Sequence, residues 1–343
     1  PYVGGAAHAE GVAKVHKLSS NENPLGPSPL AKAAYSAAGR HLELYPDGGH
    51  EPLRRAIGEV YDLPPEQLVC GSGSDEIIAL LCRAYAGQGD EVLYSAHGFL
   101  MYKLSALSSG ATPVTAPERA LTTDIDALIA AMTERTRLVF VANPNNPTGT
   151  MVSDAEIERL ADALPPQAML VIDSAYAEYV PGNDGGAGLV AARENVIMTR
   201  TFSKIYGLGA LRLGWAYAPA HVIDVMNRVR GPFNVTAPAL AAGEAAIRDQ
   251  GWVAACVEAN AKWRAWLSDE LTRLNIPVTP SHGNFVLAEI GEEAGACCDA
   301  LAAKGVLVRK MHGYGLPRHL RLSVGDEAGC RALIHELRAW IGA

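Results

Sequence analysis

A lysine follows a strand-like run near the middle of the chain, in the stretch 196–204. Ser203 precedes Lys204, and Arg212 follows after a turn that contains glycine. A lysine amine at the buried end of a strand can attack a carbonyl carbon and form an imine. The arginine can hold an anionic group of the same bound molecule. A Ser-Lys pair also occurs by chance on protein surfaces, so this pair alone does not establish a catalytic lysine.

Polar side chains also follow three other strand-like runs, at 67–70, 138–141 and 169–172. Glycines and Ser74 follow the first run, where amides at the start of a helix can bind a phosphate. Asn146 follows the second run and can direct its amide at a ring oxygen. Asp173 and Tyr176 follow the third, and an acid there can pair with a pyridinium nitrogen. Each feature alone has a structural alternative: a helix cap, a turn or a hydrogen-bonded core group.

Together these residues describe one ligand. The carboxyl ends of the strands in a parallel sheet open on a common crevice, which is where such sheets bind their ligands. A phosphate-binding turn, an amide, an acid, a lysine and an arginine then follow one another in an order that one molecule can bridge. A molecule with a phosphate, a pyridine ring and an aldehyde is pyridoxal phosphate, which is therefore the predicted cofactor.

Short β-type runs alternate with helical runs in the middle of the chain and must position these residues. The β-type runs lie at 67–70, 91–94, 138–141, 169–172, 196–199 and 213–216. Helical patterns lie between them, for example at 75–85, 124–132 and 154–163. This alternation predicts an α/β fold with a mainly parallel sheet between helices.

The pattern changes near Pro238, where long helices run over 238–249 and 252–274. Short strands and two further helices follow, which predicts a smaller α+β domain. The chain is therefore divided into three parts. Residues 1–43 are predicted to form an N-terminal arm and a helix packing on the small domain, residues 44–237 the large cofactor-binding domain, and residues 238–343 the small C-terminal domain.

Composition argues against several classes of function. The chain has 343 residues, 49% hydrophobic content and a formal net charge of −8. It has no block of basic residues, so nucleic acid and anionic membranes are poor partners. No apolar run reaches the roughly 18 residues of a membrane span, and the first residues do not resemble a signal peptide. The six cysteines form no CxxC pair, which predicts buried free thiols, no metal site and a cytoplasmic protein.

The chain resembles the fold-type I aminotransferases, and within them the histidinol-phosphate aminotransferase group. The motifs that carry the resemblance lie at 18–24, 45–47, 73–76, 145–149, 173–176, 203–204 with Arg212, and 320–325. The resemblance implies a pyridoxal phosphate cofactor and a homodimer with shared active sites. It also implies a transaminase that uses histidinol phosphate and 2-oxoglutarate in histidine biosynthesis.

The resemblance implies a role for each residue around the cofactor ring. Lys204 forms the imine and moves the proton between Cα and the cofactor carbon. Asp173 pairs with the pyridinium nitrogen, while Tyr176 and Asn146 hold the ring hydroxyl oxygen. Phe99 occupies the place of the aromatic residue that stacks on the ring. Many relatives have Tyr there, so the stacking remains while the hydroxyl is missing.

The same resemblance assigns residues to the cofactor phosphate. Ser74, Asp75, Ser203 and Arg212 surround this phosphate. Asp75 does so through its backbone amide, because its side chain is itself acidic. Tyr45 reaches the phosphate from the partner subunit.

Four residues are implied in substrate binding. Arg321 resembles the arginine that anchors the acidic group of the substrate, since its fork suits carboxylate or phosphate. Arg309 and Tyr2 add contacts to the substrate phosphate, and Asn21 lines the entrance. Two alternatives stay open, a rim salt bridge for Arg309 and a turn residue for Asn21.

Three other functions share parts of this pattern. An aromatic amino acid aminotransferase has the same cofactor motifs, and Arg321 serves either acidic group. An amino-acid-phosphate decarboxylase uses the same scaffold but leaves no aminated cofactor. A cofactor-binding regulatory module is the non-enzymatic alternative, but no basic patch or DNA-binding helix-turn-helix supports it.

Overall fold

The computed structural model describes residues 4–8, 11 and 14–342. The strands are β1 (His16–Lys17), β2 (Leu68–Gly71), β3 (Glu91–Ser95), β4 (Thr112–Ala116), β5 (Glu118–Arg119), β6 (Thr122–Thr123), β7 (Thr136–Ala142), β8 (Met169–Asp173), β9 (Val196–Thr201), β10 (Gly214–Tyr217), β11 (Val278–Thr279), β12 (Phe285–Glu289), β13 (Val306–Leu307), β14 (Arg309–Lys310) and β15 (His319–Ser323). The helices are α1 (Pro29–Ala38), α2 (Glu51–Tyr61), α3 (Ser74–Tyr85), α4 (Leu100–Ser109), α5 (Ile125–Ala131), α6 (Asp154–Asp162), α7 (Ala187–Ala192), α8 (Ala220–Val229), α9 (Ala237–Arg248), α10 (Gln250–Arg273), α11 (Ala294–Ala303) and α12 (Glu327–Ile341). No helix among the described residues is long and apolar enough to span a membrane.

The largest sheet has seven strands in the order β2-β10-β9-β8-β7-β3-β4. Strands β9, β8, β7, β3 and β4 pair in parallel, whereas β10 is antiparallel to both β2 and β9. The mainly parallel sheet predicted from the sequence is confirmed. The prediction lacks β4, a partly exposed strand that contains Pro113. A proline is tolerated on an edge strand, but it hides the strand pattern in the sequence.

Both faces of this sheet are covered, which explains why its strands are continuous apolar runs. Successive side chains of a strand point to opposite faces. On β7, Val139 and Val141 therefore join one core cluster, while Leu138 and Phe140 join the other. Helices on each face complete the two clusters, and the sheet lies between them.

A second sheet is antiparallel, with strand order β11-β12-β15-β14. It packs with α10, α11 and α12 around a separate core that includes Leu267, Val286, Leu320 and Leu333. The short strand β1 pairs in parallel with β13 beside this core. The described residues thus form a large α/β part and a smaller α+β part.

The first helix packs along α9. The sequence predicts that this helix packs on the small domain, and α9 lies almost wholly within the residues 238–343 that the same prediction assigns to that domain. The buried residues Ala31 of α1 and Ala239 and Ala242 of α9 belong to the same core cluster as the large sheet. Small side chains on both helices permit this close packing, which a local sequence pattern does not reveal. The division at residues 43 and 237 stays a prediction.

The segment that follows β1 contacts both sheets. Leu18 accepts a hydrogen bond from the backbone of Ser323 on β15, and its own amide donates to Leu307 on β13. Further along, the Asn23 side chain donates to the carbonyl oxygen of Ile205 in the turn after β9, at 2.7 Å. This segment therefore joins the small sheet to the edge of the large one.

Candidate active site

A cavity of about 320 Å³ opens at the carboxyl edge of the parallel strands. Residues from the ends of β2, β3, β7, β8 and β9 line it, together with residues of the small sheet. Its lining includes all but two of the residues singled out from the sequence: Asn21, Ser74, Asp75, Phe99, Asn146, Asp173, Tyr176, Ser203, Lys204, Arg212, Arg309 and Arg321. One of the remaining two, Tyr2, lies outside the described residues.

Asp173 ends β8 and is 4% exposed. The Tyr102 hydroxyl donates to its Oδ2 at 2.7 Å, and the Thr199 hydroxyl donates to its Oδ1 at 3.4 Å. Burial raises the pKa of Asp173 to about 6, although these two hydrogen bonds act in the opposite direction. A cationic group beside this buried carboxyl would favour its ionised form.

Tyr102 is a site residue that the sequence analysis missed. It is fully buried in α4, where its ring stacks on Phe140 at 4.6 Å between centroids. Phe99, at the start of the same helix, packs edge-on against it at 5.9 Å. Residues three apart on a helix are neighbours, so the spacing from Phe99 was an available signal.

Asn21 holds the hydroxyl of Tyr176. Its Nδ2 donates to that oxygen at 3.0 Å, while its Oδ1 accepts from the Ser323 hydroxyl at 2.9 Å. Asn21 is 1% exposed and has a φ of 56°, in the left-handed region that Asn tolerates better than most residues. The turn conformation is therefore present, and the amide is engaged inside the site. Asn21 also lines the cavity, and its place at the entrance stays a prediction.

Lys204 lies in the turn that follows β9. Its Nζ donates to the Ser20 carbonyl oxygen at 3.3 Å and lies 5.8 Å from the ring centre of Tyr176. The turn is closed by a hydrogen bond from the Gly207 amide to the Lys204 carbonyl oxygen. Gly207 has a φ of 67°, and a Cβ there would lie 2.5 Å from the backbone of Gly26. Only glycine fits at this position, and the position of the lysine depends on it.

Arg212, Ser203, Asp75 and Gly73 meet at one end of the cavity. The guanidinium of Arg212 donates to the Ser203 hydroxyl at 3.1 Å and to Asp75 Oδ2 at 3.2 Å. Gly73, with a φ of 83°, precedes Ser74 at the start of α3, and a Cβ on Gly73 would lie 2.4 Å from Arg212 Nη2. The turn, the guanidinium and the helix N-terminus together form a concave site whose donors suit an anion.

Arg309 and Arg321 face each other across the antiparallel pair β14–β15. Both are at least nine-tenths buried, at 8% and 4% exposure. Arg321 donates to Asn146 Oδ1 at 2.5 Å and to the Ser19 carbonyl oxygen at 3.1 Å. Like charges directly opposite each other in a sheet are destabilising. Two buried guanidinium groups at a cavity therefore favour an anionic ligand.

Tyr45 is the other residue, and the structure places it away from the cavity. It is 82% exposed, and its ring stacks on that of Phe233 at 4.7 Å. The neighbouring side chains of Leu42 and Leu44 are also exposed, at 74% and 63%. Within a single chain this tyrosine makes no contribution to the cavity lining.

Comparisons with known proteins agree with this geometry. A family model described as aminotransferase class I and II matches residues 13–337. The histidinol-phosphate aminotransferase of Dinoroseobacter shibae is 60% identical over 99% of this chain and 94% of its own length. That of Ruegeria sp. strain TM1040 is 58% identical over 97% of this chain and 92% of its own. The crystal structure of histidinol-phosphate aminotransferase from Sinorhizobium meliloti in complex with pyridoxal-5'-phosphate is similar, with a TM-score of 0.87 at 26% identity, covering 94% of this chain and 91% of that one.

Proposed function

The chain belongs to the aminotransferase class I and II family, and from this premise we propose that it transfers the amino group of histidinol phosphate to 2-oxoglutarate in histidine biosynthesis, with pyridoxal phosphate as its cofactor. The names of relatives at 54–60% identity support the substrate, and the S. meliloti complex supports the cofactor. The buried pair Arg309 and Arg321 is the observation in this chain that carries the substrate assignment.

The donor set of the cavity fits pyridoxal phosphate. The concave site formed by Gly73, Ser74, Ser203 and Arg212 suits the phosphate. Asp173, buried and with a raised pKa, suits the protonated ring nitrogen. When bound, the cofactor supplies an aldehyde that takes up the amino group and a ring that withdraws electrons from the substrate Cα.

The protein residues then orient groups and move protons. Lys204 Nζ removes the proton from Cα of the amino donor and is held for this by the Ser20 carbonyl oxygen. Asp173 would hold the proton of the ring nitrogen, and the Tyr102 hydroxyl fixes the orientation of the Asp173 carboxylate. Tyr176 donates its hydroxyl towards the ring oxygen and is itself oriented by Asn21. The Oδ1 of Asn146 accepts from Arg321, which leaves its NH₂ group as the donor that would bind the same oxygen.

Arg309 and Arg321 bind the acidic group of the amino donor. A phosphate ester carries more negative charge than a carboxylate and offers more acceptor oxygens, so it compensates two guanidinium groups better. The pair therefore favours histidinol phosphate over an aromatic amino acid.

A profile of amino donors with 2-oxoglutarate tests the assignment. We expect Arg309→Ala to lower kcat/KM for histidinol phosphate about 10- to 100-fold more than for phenylalanine, which is the effect of losing a charge-assisted hydrogen bond. Lys310→Ala is the matched control, because Lys310 is exposed and pairs with Asp299 on the surface. An equal loss for both donors would favour the aromatic aminotransferase. Release of carbon dioxide from an amino-acid phosphate without formation of glutamate would favour the decarboxylase.

We further propose a cytoplasmic homodimer with shared sites. The exposed apolar side chains of Leu42, Leu44 and Tyr45 support a second copy of this chain as the partner. Tyr45 would then serve the phosphate site of the partner. All six cysteines are buried free thiols, which supports a reducing compartment.

A further inference from the structure

Glu76 forms an unusual contact at the start of α3. One of its carboxylate oxygens, Oε2, accepts from the Ser72 amide at 2.6 Å and from Asn234 Nδ2 at 2.7 Å. In an ordinary capping box, an acid at this helical position bonds the amide of the N-cap residue. Here the N-cap is Gly73, and the carboxylate bonds the residue before it. Glu76 therefore stabilises the turn that precedes α3, whereas a capping-box acid stabilises the N-cap residue of the helix.

Asn234 contacts the same turn through several of its atoms, although it lies far away in the sequence. Its carbonyl oxygen accepts from the Ser72 hydroxyl, and its Nδ2 also donates to the Cys70 carbonyl oxygen at 3.3 Å. Its Oδ1 accepts from Arg230 at 3.2 Å. Backbone and side chain of one asparagine thus fix both the end of β2 and the turn after it.

These contacts determine which amides remain for a ligand. The Ser72 amide is bonded to Glu76, and the Gly73 amide donates to the Gly71 carbonyl oxygen at 2.7 Å. Both are used within the turn, so anion binding falls to the amides of Ser74 and Asp75 in the first turn of α3. A small rotation of the turn would change the direction in which these two N–H groups point.

We infer that Glu76 and Asn234 are positioning residues for the cofactor phosphate. They hold the turn at 72–74 so that the N-terminus of α3 and the Ser74 hydroxyl face the phosphate beside Arg212. Glu76 stabilises the turn through the two hydrogen bonds that its Oε2 accepts. Its negative charge is not required for this, since a carboxylate near a helix N-terminus competes with an anionic ligand. The inference depends on the proposed pyridoxal phosphate cofactor.

Two ligands separate a phosphate-positioning role from a general structural one. The apoprotein is titrated with pyridoxal phosphate and with pyridoxal, which lacks the phosphate, and binding is followed by visible absorbance. We expect Glu76→Ala and Asn234→Ala each to weaken the affinity for pyridoxal phosphate about tenfold, the size of effect that losing an intramolecular hydrogen bond can have. The affinity for pyridoxal should stay within about threefold, since the ring-binding residues are unchanged.

Two further variants sharpen the test. Glu76→Gln keeps the acceptor oxygen and removes the charge, so its affinity for pyridoxal phosphate should equal or exceed that of the wild type. Asn227→Ala is the matched control, because Asn227 also bonds Arg230, through Nε at 2.8 Å, but does not contact the turn. Thermal unfolding of each apoprotein confirms that the variants are folded.

Several outcomes would overturn the inference. Equal weakening for both ligands in the alanine variants would show that the two residues act on the fold as a whole. An unchanged affinity for pyridoxal phosphate would show that the turn does not need them, and a tenfold loss in Glu76→Gln would show that the charge matters. A wild-type protein that binds both ligands equally well would refute the phosphate site, and this inference with it.

Discussion

The buried carboxyl of Asp173 should destabilise the protein when no cofactor is bound. Burial raises its pKa from 3.8 to about 6, and the nearby charge of Asp75 acts in the same direction. The hydrogen bonds from Tyr102 and Thr199 compensate only part of this effect. Asp173→Asn removes the titrating group while keeping a polar side chain of the same shape. The free energy of unfolding of the apoprotein should therefore increase at neutral pH.

The size and sign of the effect follow from the two pKa values. Well below pH 3.8 the carboxyl of Asp173 is protonated in both the folded and the unfolded chain, so its burial carries no ionisation penalty. As the pH rises through 3.8 towards 6, the unfolded chain loses this proton first, and folding becomes less favourable. Above pH 6 the full difference of about two pKa units applies, which is about 3 kcal/mol. About 2 kcal/mol of this loss in the free energy of unfolding should occur between roughly pH 4.5 and pH 7.5.

Urea unfolding of the apoprotein, followed by circular dichroism at these two pH values, measures the effect. The stability of Asp173→Asn relative to the wild type should increase by about 2 kcal/mol from the lower to the higher pH. Asp269→Asn is the control, because Asp269 is exposed on α10, and its relative stability should not change. A difference between Asp173→Asn and the wild type that is independent of pH would refute the reasoning, as would one of opposite sign.

Two predictions concern the remaining machinery. Lys204→Ala should bind pyridoxal phosphate without the visible absorption band of the lysine-bound form and should lose turnover. The control Lys103→Ala should keep both the band and the turnover. An unchanged spectrum of Lys204→Ala would show that Lys204 is not the lysine that binds the cofactor. The wild-type protein should sediment as a dimer, and Tyr45→Ala should weaken the binding of pyridoxal phosphate about tenfold, as expected for a lost hydrogen bond to a charged group. A fully active monomer would contradict the shared site.

The sequence predicted the large sheet and most of the cavity lining because both are local signals. Parallel strands buried on both faces are continuous apolar runs, and the polar residue that ends each run marks the cavity edge. Asp173 and Lys204 were found in this way without any knowledge of distant contacts. The family resemblance then gave each residue a role.

Residues whose contribution depends on distant partners were not predicted. Tyr102 looks like a core aromatic until the fold brings its hydroxyl to Asp173. Asn234 lies in a loop between α8 and α9, and nothing near it in the sequence indicates the turn at 72–74.

The segment between β1 and α1 has a mechanical consequence. Asn21 is bonded on one side to Ser323 of the small sheet and on the other to the Tyr176 hydroxyl beside the large sheet. A rotation of the small sheet relative to the large one would displace Asn21. The Tyr176 hydroxyl would then have to move with Asn21 or lose the hydrogen bond from its Nδ2. The angle between the two sheets is thus transmitted to the hydroxyl of a single side chain in the active site.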